Sequence, residues 1–396
     1  MKLHLYNGYY EYNNKIYVVR ESVLDEMLLR NDSSGSYKFV FHDELFSKLD
    51  WSVEPEISLM DLYIARAKQI RDEYDYVILS YSGGSDSYEV LRVFLDNNIF
   101  LDEIQTTHYS LIYDGVKYKN DLTPQMRRFN EFEFNVVPTL NEIKKRSPNT
   151  KINLMDASRY LMEDTIGKRY NIFGHKTDNP MTNYPVTRFP RTYFAYQHLE
   201  NEKHLEKKQN VCLILGLEKP FLTLKENTLY HYFGDALLQG IKYLNRNFVD
   251  SHLYNIESFF TSHKAPLIPI KQSHVLKRAF ETDKNLYDGF LSYLNISPLN
   301  LKNRSRFEYS REYVPYIYHY WDNSKIFLPK PFGKSQDYSL IEYLFKTDAP
   351  FQAAEEYNNW VINKYQKVAD KKMLMGEKQS RHYRVGELSL NFVGEK

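Results

Sequence analysis

The segment Tyr76-Val77-Ile78-Leu79-Ser80-Tyr81-Ser82-Gly83-Gly84-Ser85-Asp86-Ser87 constrains the fold more than any other stretch of the chain. Its first half is a short, nearly continuous apolar run, the pattern of a parallel strand covered on both faces. It stops at two glycines. Beyond them Val90, Leu91, Phe94 and Leu95 fall on one face of a helix beginning near Asp86, so the unit reads strand, glycine loop, helix. Ahead of it, Leu59, Leu62, Tyr63, Ala67 and Ile70 recur at helical spacing, with Ser58 as cap and Asp61 three residues on as an approximate capping box.

The same alternation continues downstream. Glu103 to His108 and Lys151 to Met155 read as strands separated by a helix between Pro124 and Lys145. A helical stretch follows Met155, then a loop from Asn171 to Pro190, a charged helix from Thr192 to Lys208, and the strand Val211 to Leu215. Strands alternating with helices predict an α/β fold with a Rossmann-like, mainly parallel sheet and helices on both faces. Phe221 to Lys225 and Thr228 to Phe233 predict a hairpin turning at Glu226-Asn227. Past Asp235 the pattern becomes amphipathic and helical, as in His274 to Leu294. The chain thus divides into a β-rich lead-in over 1–56, a nucleotide-binding domain over 57–240, and a mainly helical, aromatic-rich extension over 241–396 that faces a substrate or partner.

Composition narrows the function classes. The 396 residues contain 52 basic and 51 acidic side chains, so net charge does not call for a nucleic-acid partner, although a local basic groove is compatible with it. Cys212, alone in the chain and set in the apolar run Val211 to Leu215, reads as a core residue and excludes a disulfide, a CxxC pair and a cysteine zinc cluster. No stretch approaches the roughly 18 apolar residues of a membrane span, and the start of the chain lacks the apolar core of a signal peptide, so a cytoplasmic protein without a membrane partner is expected. A homo-oligomer is left open. The 35 tyrosines, with abundant Asn, Lys, Ile and Phe, fit an AT-rich genome, that of a low-GC bacterium or a virus of one, better than an aromatic binding surface.

A loop between the end of a buried strand and the start of a helix presents unpaired backbone N–H groups and about half a positive charge from the helix dipole. Gly83 and Gly84 let a polyphosphate reach that backbone, and the hydroxyls of Ser82, Ser85 and Ser87 add donors. Ser80 ends the strand beside them. Asp86 would repel bare phosphate, which leaves it to hold a Mg²⁺ that bridges the anion, or to cap the helix. The loop lacks the lysine of a Walker A motif and the spacing of a GxGxxG fingerprint. A tight Gly-Gly turn capped by serine and aspartate is the alternative.

The string Ser82-Gly83-Gly84-Ser85-Asp86-Ser87 resembles the SGGxDS signature of the PP-loop ATP pyrophosphatases, the adenine nucleotide α-hydrolase-like superfamily, over about residues 57 to 235. The resemblance implies ATP and Mg²⁺ as cofactors and cleavage of ATP between the α and β phosphates. A substrate oxygen is then adenylated and AMP displaced by a nucleophile. Ligands of open α/β sheets sit outside the carboxyl ends of the strands, which gives further residues roles. His108, at a strand end, would contact nucleotide or substrate; a structural histidine explains it equally. Leu215-Gly216-Leu217-Glu218-Lys219-Pro220 resembles the glycine-containing, charged loop of the PAPS-reductase-like branch, with Gly216 letting the nucleotide approach and Lys219 offsetting phosphate charge during cleavage. The loop Lys168 to Arg191 offers His175, Lys176, Arg188 and Arg191 to an anionic substrate, or is solvated surface.

Departures from known branches select among reactions. The chain lacks the C-terminal cysteine motif of PAPS reductases, the cysteines of thiolation enzymes and the four-cysteine zinc site of the 7-cyano-7-deazaguanine synthases, and Lys2 stands where an asparagine synthetase carries a nucleophilic cysteine. What survives is adenylation of a carboxylate, amide or carbonyl oxygen, followed by attack of an amine or ammonia on a small-molecule or nucleotide substrate. The rivals are a sulfonucleotide or nucleotide hydrolase and a non-catalytic nucleotide sensor or assembly subunit.

Overall fold

A computed structural model describes residues 8–18, 20–108, 132–156, 209–216, 219–235, 254–295, 312–321, 359, 362–370, 374 and 378–392. The chain opens with a small antiparallel sheet in the order β2-β1-β3, formed by β1 (Tyr9–Tyr12), β2 (Lys15–Tyr17) and β3 (Lys38–Val40), with helix α1 (Arg20–Leu29) inserted before β3. Asn13 and Asn14 make the β1–β2 turn, both at positive φ, a conformation asparagine tolerates better than most residues. The short helix α2 (Asp43–Phe46) then leads to α3 (Leu59–Glu73).

The start of α3 is the one the sequence specifies: the Ser58 Oγ accepts from the Asp61 amide at 3.1 Å and donates to the Asp61 carboxylate at 2.6 Å. Its apolar stripe, Leu59, Leu62, Tyr63, Ala67 and Ile70, is buried. Strand β4 (Tyr76–Ser80) follows, then helix α4 (Ser85–Asp96), strand β5 (Glu103–His108), a π-turn segment (Phe132–Val136) running into α5 (Val137–Arg146), and β6 (Lys151–Asp156). In β4 the consecutive residues Val77, Ile78 and Leu79 are all 0% exposed, so both faces of the sheet are covered there.

The central sheet has five parallel strands in the order β10-β7-β4-β5-β6, with β7 at Val211–Leu215 and β10 at Tyr254–Ser258. This is a Rossmann-like α/β core. The chain builds outward from β4 through β5 to β6, then returns to the other side of β4 for β7 and β10. The order therefore reverses between β4 and β7. Because the fifth strand lies past residue 240, the boundary expected there falls inside the sheet in sequence.

The expected hairpin forms as β8 (Phe221–Lys225) and β9 (Thr228–Tyr232), with Glu226 at φ 54° in the turn. Its sheet gains a third strand from near the end of the chain, β11 (Tyr383–Glu387), antiparallel to β9. The amphipathic stretch expected from His274 to Leu294 is two helices, α6 (Leu267–Thr282) and α7 (Lys284–Leu294). The break lies at Asp283, whose carboxylate caps α7 by accepting from the Leu286 amide at 3.0 Å. A short helix, α8 (Val314–Ile317), packs on α6. Aromatic contacts join the N-terminal sheet to β9 and β11: Phe41 meets Phe233 at 4.4 Å, and Trp51 stacks on Tyr383 at 4.7 Å. No helix among the described residues is long and apolar enough to cross a membrane.

Candidate functional site

The loop Tyr81 to Gly84 leaves the carboxyl end of β4 at the place where the strand order reverses, the position at which open α/β sheets form a crevice for ligands. Gly83 has φ +81°, a conformation that disfavours any residue with a Cβ. Gly84 is the N-cap of α4 and brings no capping side chain, so the first-turn amides of α4 are left to other acceptors. The serines brace the loop internally. The Ser87 Oγ accepts from the Ser82 amide at 3.1 Å and donates to the Gly84 carbonyl at 3.3 Å, while the Gly84 amide donates to the Ser82 Oγ at 3.3 Å. Ser87 is buried and Ser82 exposed, so both hydroxyls brace the loop and that of Ser82 does so at its surface. Ser80 closes β4, and its register partner on β7 is Leu215.

Gly216 follows β7 directly and lies against the start of α4. A Cβ there would stand 2.9 Å from the carbonyl carbon and oxygen of Asp86 and from the Ser87 Cα. Lys219, three residues on, forms an ion pair with Asp86 at 2.5 Å, both side chains being largely buried. Gly216 and Lys219 therefore face the glycine loop and the start of α4 across the crevice.

Asp86 has a second partner that nothing in the local sequence signals. The Tyr318 hydroxyl, in a residue 2% exposed, donates to the same Asp86 Oδ1 at 2.7 Å, and its ring lies 5.9 Å from the Lys219 ammonium. Burial, followed by the neighbouring Asp86 charge, pushes the Tyr318 phenol well above its ordinary range, so it stays a donor. One turn along α4, the fully buried Glu89 accepts from the amides of His319 and Tyr320, each at 2.9 Å. The first turns of α4 thus hold both the crevice and a segment from the far end of the chain.

His108 ends β5 on the side of β4 opposite Gly216, in register with Asp156 on β6, and its ring lies 5.8 Å from that of Phe132. It is not brought to the Asp86–Lys219 pair. The Asn135 amide reaches the loop instead, donating to the Gly83 carbonyl at 3.4 Å. His175, Lys176, Arg188 and Arg191 lie outside the described residues. Cys212 is buried in β7, and burial raises its thiol well above the ordinary range, as a core residue requires.

Among the described residues no group of three or more His, Cys, Asp or Glu side chains is arranged around a common point. A magnesium ion bound through a polyphosphate needs only one or two protein carboxylates and keeps several waters, so Asp86 at the mouth of the loop fits that demand by itself. Comparison with models of known protein families, with curated proteins and with solved structures finds no match to this chain.

Proposed function

We propose that this chain binds ATP with its polyphosphate on the Ser82–Ser87 loop, cleaves it to AMP and pyrophosphate, and thereby adenylates a substrate oxygen for displacement by an amine or ammonia. One observation carries this reading: an uncapped helix N-terminus behind two glycines, at the strand-order reversal, with a lysine held across it. Bare amides and a helix dipole favour an anion, and Gly83, Gly84 and Gly216 together keep side chains out of its way.

In this reading Asp86 would hold Mg²⁺, which supplies charge neutralisation on the polyphosphate when bound. Lys219 moves from Asp86 toward the phosphate oxygens and stabilises the charge that develops as the α,β bond breaks. Ser82 and Ser85 donate to phosphate, while Ser87 keeps the loop in shape. No nucleophilic side chain is required, because positioning and charge stabilisation do the work. Residues 241–396 select the substrate in this reading, with His175, Lys176, Arg188 and Arg191 on its anionic groups and His108 beside the nucleotide.

The test is to incubate the protein with Mg²⁺ and ATP labelled at the α phosphate, alone and with extracts of small metabolites and tRNA. Release of AMP and pyrophosphate that disappears in Asp86→Ala supports the reading. ADP as product, or binding without cleavage, overturns it. The double engagement of Asp86 by Lys219 and Tyr318 favours one second reading, a nucleotide sensor in which α4 relays occupancy of the loop to the 312–321 segment. That reading predicts binding without AMP.

A further inference from the structure

Of the half-buried lysines among the described residues, Lys219, Lys264, Lys271 and Lys277 each meet a carboxylate at 2.5–2.7 Å. Lys378 is the exception. Among the described residues its Nζ meets neither a carboxylate nor a hydrogen-bond acceptor, yet it is not sealed from solvent. What it has instead is the ring of Tyr37, whose centroid lies 4.1 Å away.

Three parts of the chain meet around this amine. Lys378 precedes β11, and its backbone is pinned to Asp235, just past β9: the Lys378 amide donates to Asp235 Oδ1 at 3.0 Å, and the Asp235 amide donates to the Lys378 carbonyl at 3.0 Å. The N-terminal sheet and the start of α1 supply the rest. The other Asp235 oxygen accepts from the Tyr10 hydroxyl at 2.7 Å and lies 3.9 Å from the Arg20 guanidinium, both groups being buried. Arg20 donates through Nε to the Tyr37 hydroxyl at 2.7 Å, and its guanidinium carbon is 6.0 Å from the centroid of the same ring that Lys378 covers. Two cations thus share one aromatic ring, while the nearby carboxylate is already engaged by other donors. Burial, followed by the Arg20 charge, pushes the Lys378 amine down to about 8, against the weaker opposing pull of Asp235 and Asp370.

We propose that Lys378 is an acylation site, and that it takes an activated acyl group from a mixed carboxylic–phosphoric anhydride, the class of the acyl phosphates. An amine attacks only with its lone pair free, and a lysine gains that property when it is desolvated beside a second cation. The Nζ lone pair attacks the acyl carbon. A C–N bond forms, the C–O bond to phosphate breaks, phosphate leaves with that electron pair, and the amine proton passes to solvent. The positive field of Arg20, which disfavours the ammonium, favours an anionic donor over a neutral ester. The product amide is uncharged, so one cation remains at the Tyr37 ring, and it is the one beside Asp235. The site goes beyond the ATP reading and uses none of its residues.

The probe is acetyl phosphate, without nucleotide. The full chain is treated briefly and digested, and acetylation of each lysine is read by mass spectrometry, with the exposed Lys38 and Lys48 as controls in the same molecule. At about pH 7, roughly a tenth of an amine titrating near 8 is free, against less than about a thousandth of one at the ordinary 10.4. Lys378 is therefore expected to react at least about tenfold faster than the controls, with a rate that levels off above about pH 8. It is also expected to prefer acetyl phosphate over the neutral p-nitrophenyl acetate more strongly than they do. Arg20→Gln removes the second cation, and the rate at Lys378 falls about tenfold at pH 7, as for an amine that titrates about one unit higher. Acetylation of Lys378 no faster than of Lys48, a rate still rising at about pH 10, or a donor preference equal to that of the controls overturns the proposal. Should Arg20→Gln fail to fold, the wild-type rates decide alone. Because ATP is absent from every arm, failure here leaves the nucleotide reading standing, and failure of AMP release leaves this one standing.

Discussion

Replacing Gly216 with alanine probes the meeting of β7 with α4. The added Cβ would lie 2.9 Å from the Asp86 carbonyl carbon, the Asp86 oxygen and the Ser87 Cα. That is about 0.6 Å inside the nearest favourable separation of carbon atoms, about 3.5 Å. All three atoms are backbone, in a helix whose inner face is fixed by Val90, Leu91, Val93 and Phe94, each 0–1% exposed. No rotamer change relieves the overlap. Either the start of α4 moves away or the end of β7 does, and overpacking of this kind destabilises by about 1–3 kcal/mol.

The two consequences of that shift separate by assay. Urea denaturation of wild type and Gly216→Ala measures the first, with a lower midpoint at unchanged slope expected. Titration with a fluorescent ATP analogue measures the second. Displacing the first turn of α4 misaligns the amides proposed to hold phosphate, so affinity falls although no ligand-contacting side chain has changed. A variant within about 0.3 kcal/mol of wild type would refute the crowding argument. A destabilised variant with undiminished binding would refute the placement of phosphate on this helix terminus.

Tyr318→Phe removes a donor to Asp86 and keeps the ring, so stability drops by about 1.5–3 kcal/mol, as for hydrogen bonds to charged groups. Glu257→Leu strands the Arg66 guanidinium, 0% exposed, and also removes a partner of Lys264; about 3–5 kcal/mol is lost by chemical denaturation. Burial alone would raise the Glu257 carboxyl, but Arg66, Lys264 and Tyr74 outweigh it and hold it below its usual range. Its contribution is therefore present above the unfolded carboxylate value of about 4.3 and lost as pH falls below it. His231 is depressed to about 3 by burial, so the unfolded chain binds its proton first, below about pH 6.5. Wild-type stability accordingly declines between about pH 6.5 and 3, and His231→Gln shows a shallower decline; equal slopes in acid titrations would refute the burial argument. His263, depressed to about 4, retains part of the slope in both proteins.

What the sequence discloses and what it hides divide along contact range. The β4 run, the glycines and the stripe of α4 are local patterns, so strand, loop and helix are readable within a few residues of their boundaries. The same holds for the Ser58–Asp61 cap. Gly216 and Lys219 are readable because they follow a strand, where a parallel sheet puts its ligand crevice. Tyr318 is hidden: it lies 232 residues from Asp86, in an aromatic-rich segment with no periodicity to mark it. The burial of His231 is equally hidden, since its ring bonds Ser273 on another element. Strands β10 and β11 escape for the same reason, each short and paired with residues far away in sequence.

The far-reaching contacts also bear on why α4 carries several acidic and hydroxyl groups in its first turns. A helix N-terminus attracts negative charge, and Asp86 is met by Lys219 and Tyr318 rather than left to the dipole alone. Glu89, fully buried one turn later, receives two backbone amides from the segment that carries Tyr318. If Asp86 served merely as a cap, the tyrosine could be dispensed with; if Glu89 served merely as an anchor, Asp86 could be neutral. Their contacts with residues 318–320 predict that occupancy of the loop and placement of this segment are linked. In the proposed reading, a nucleotide that draws Lys219 off Asp86 strengthens the demand on Tyr318 and is expected to tighten this segment. Hydrogen exchange of the His319 and Tyr320 amides measures it: slower exchange with ATP is expected, and unchanged exchange breaks the link.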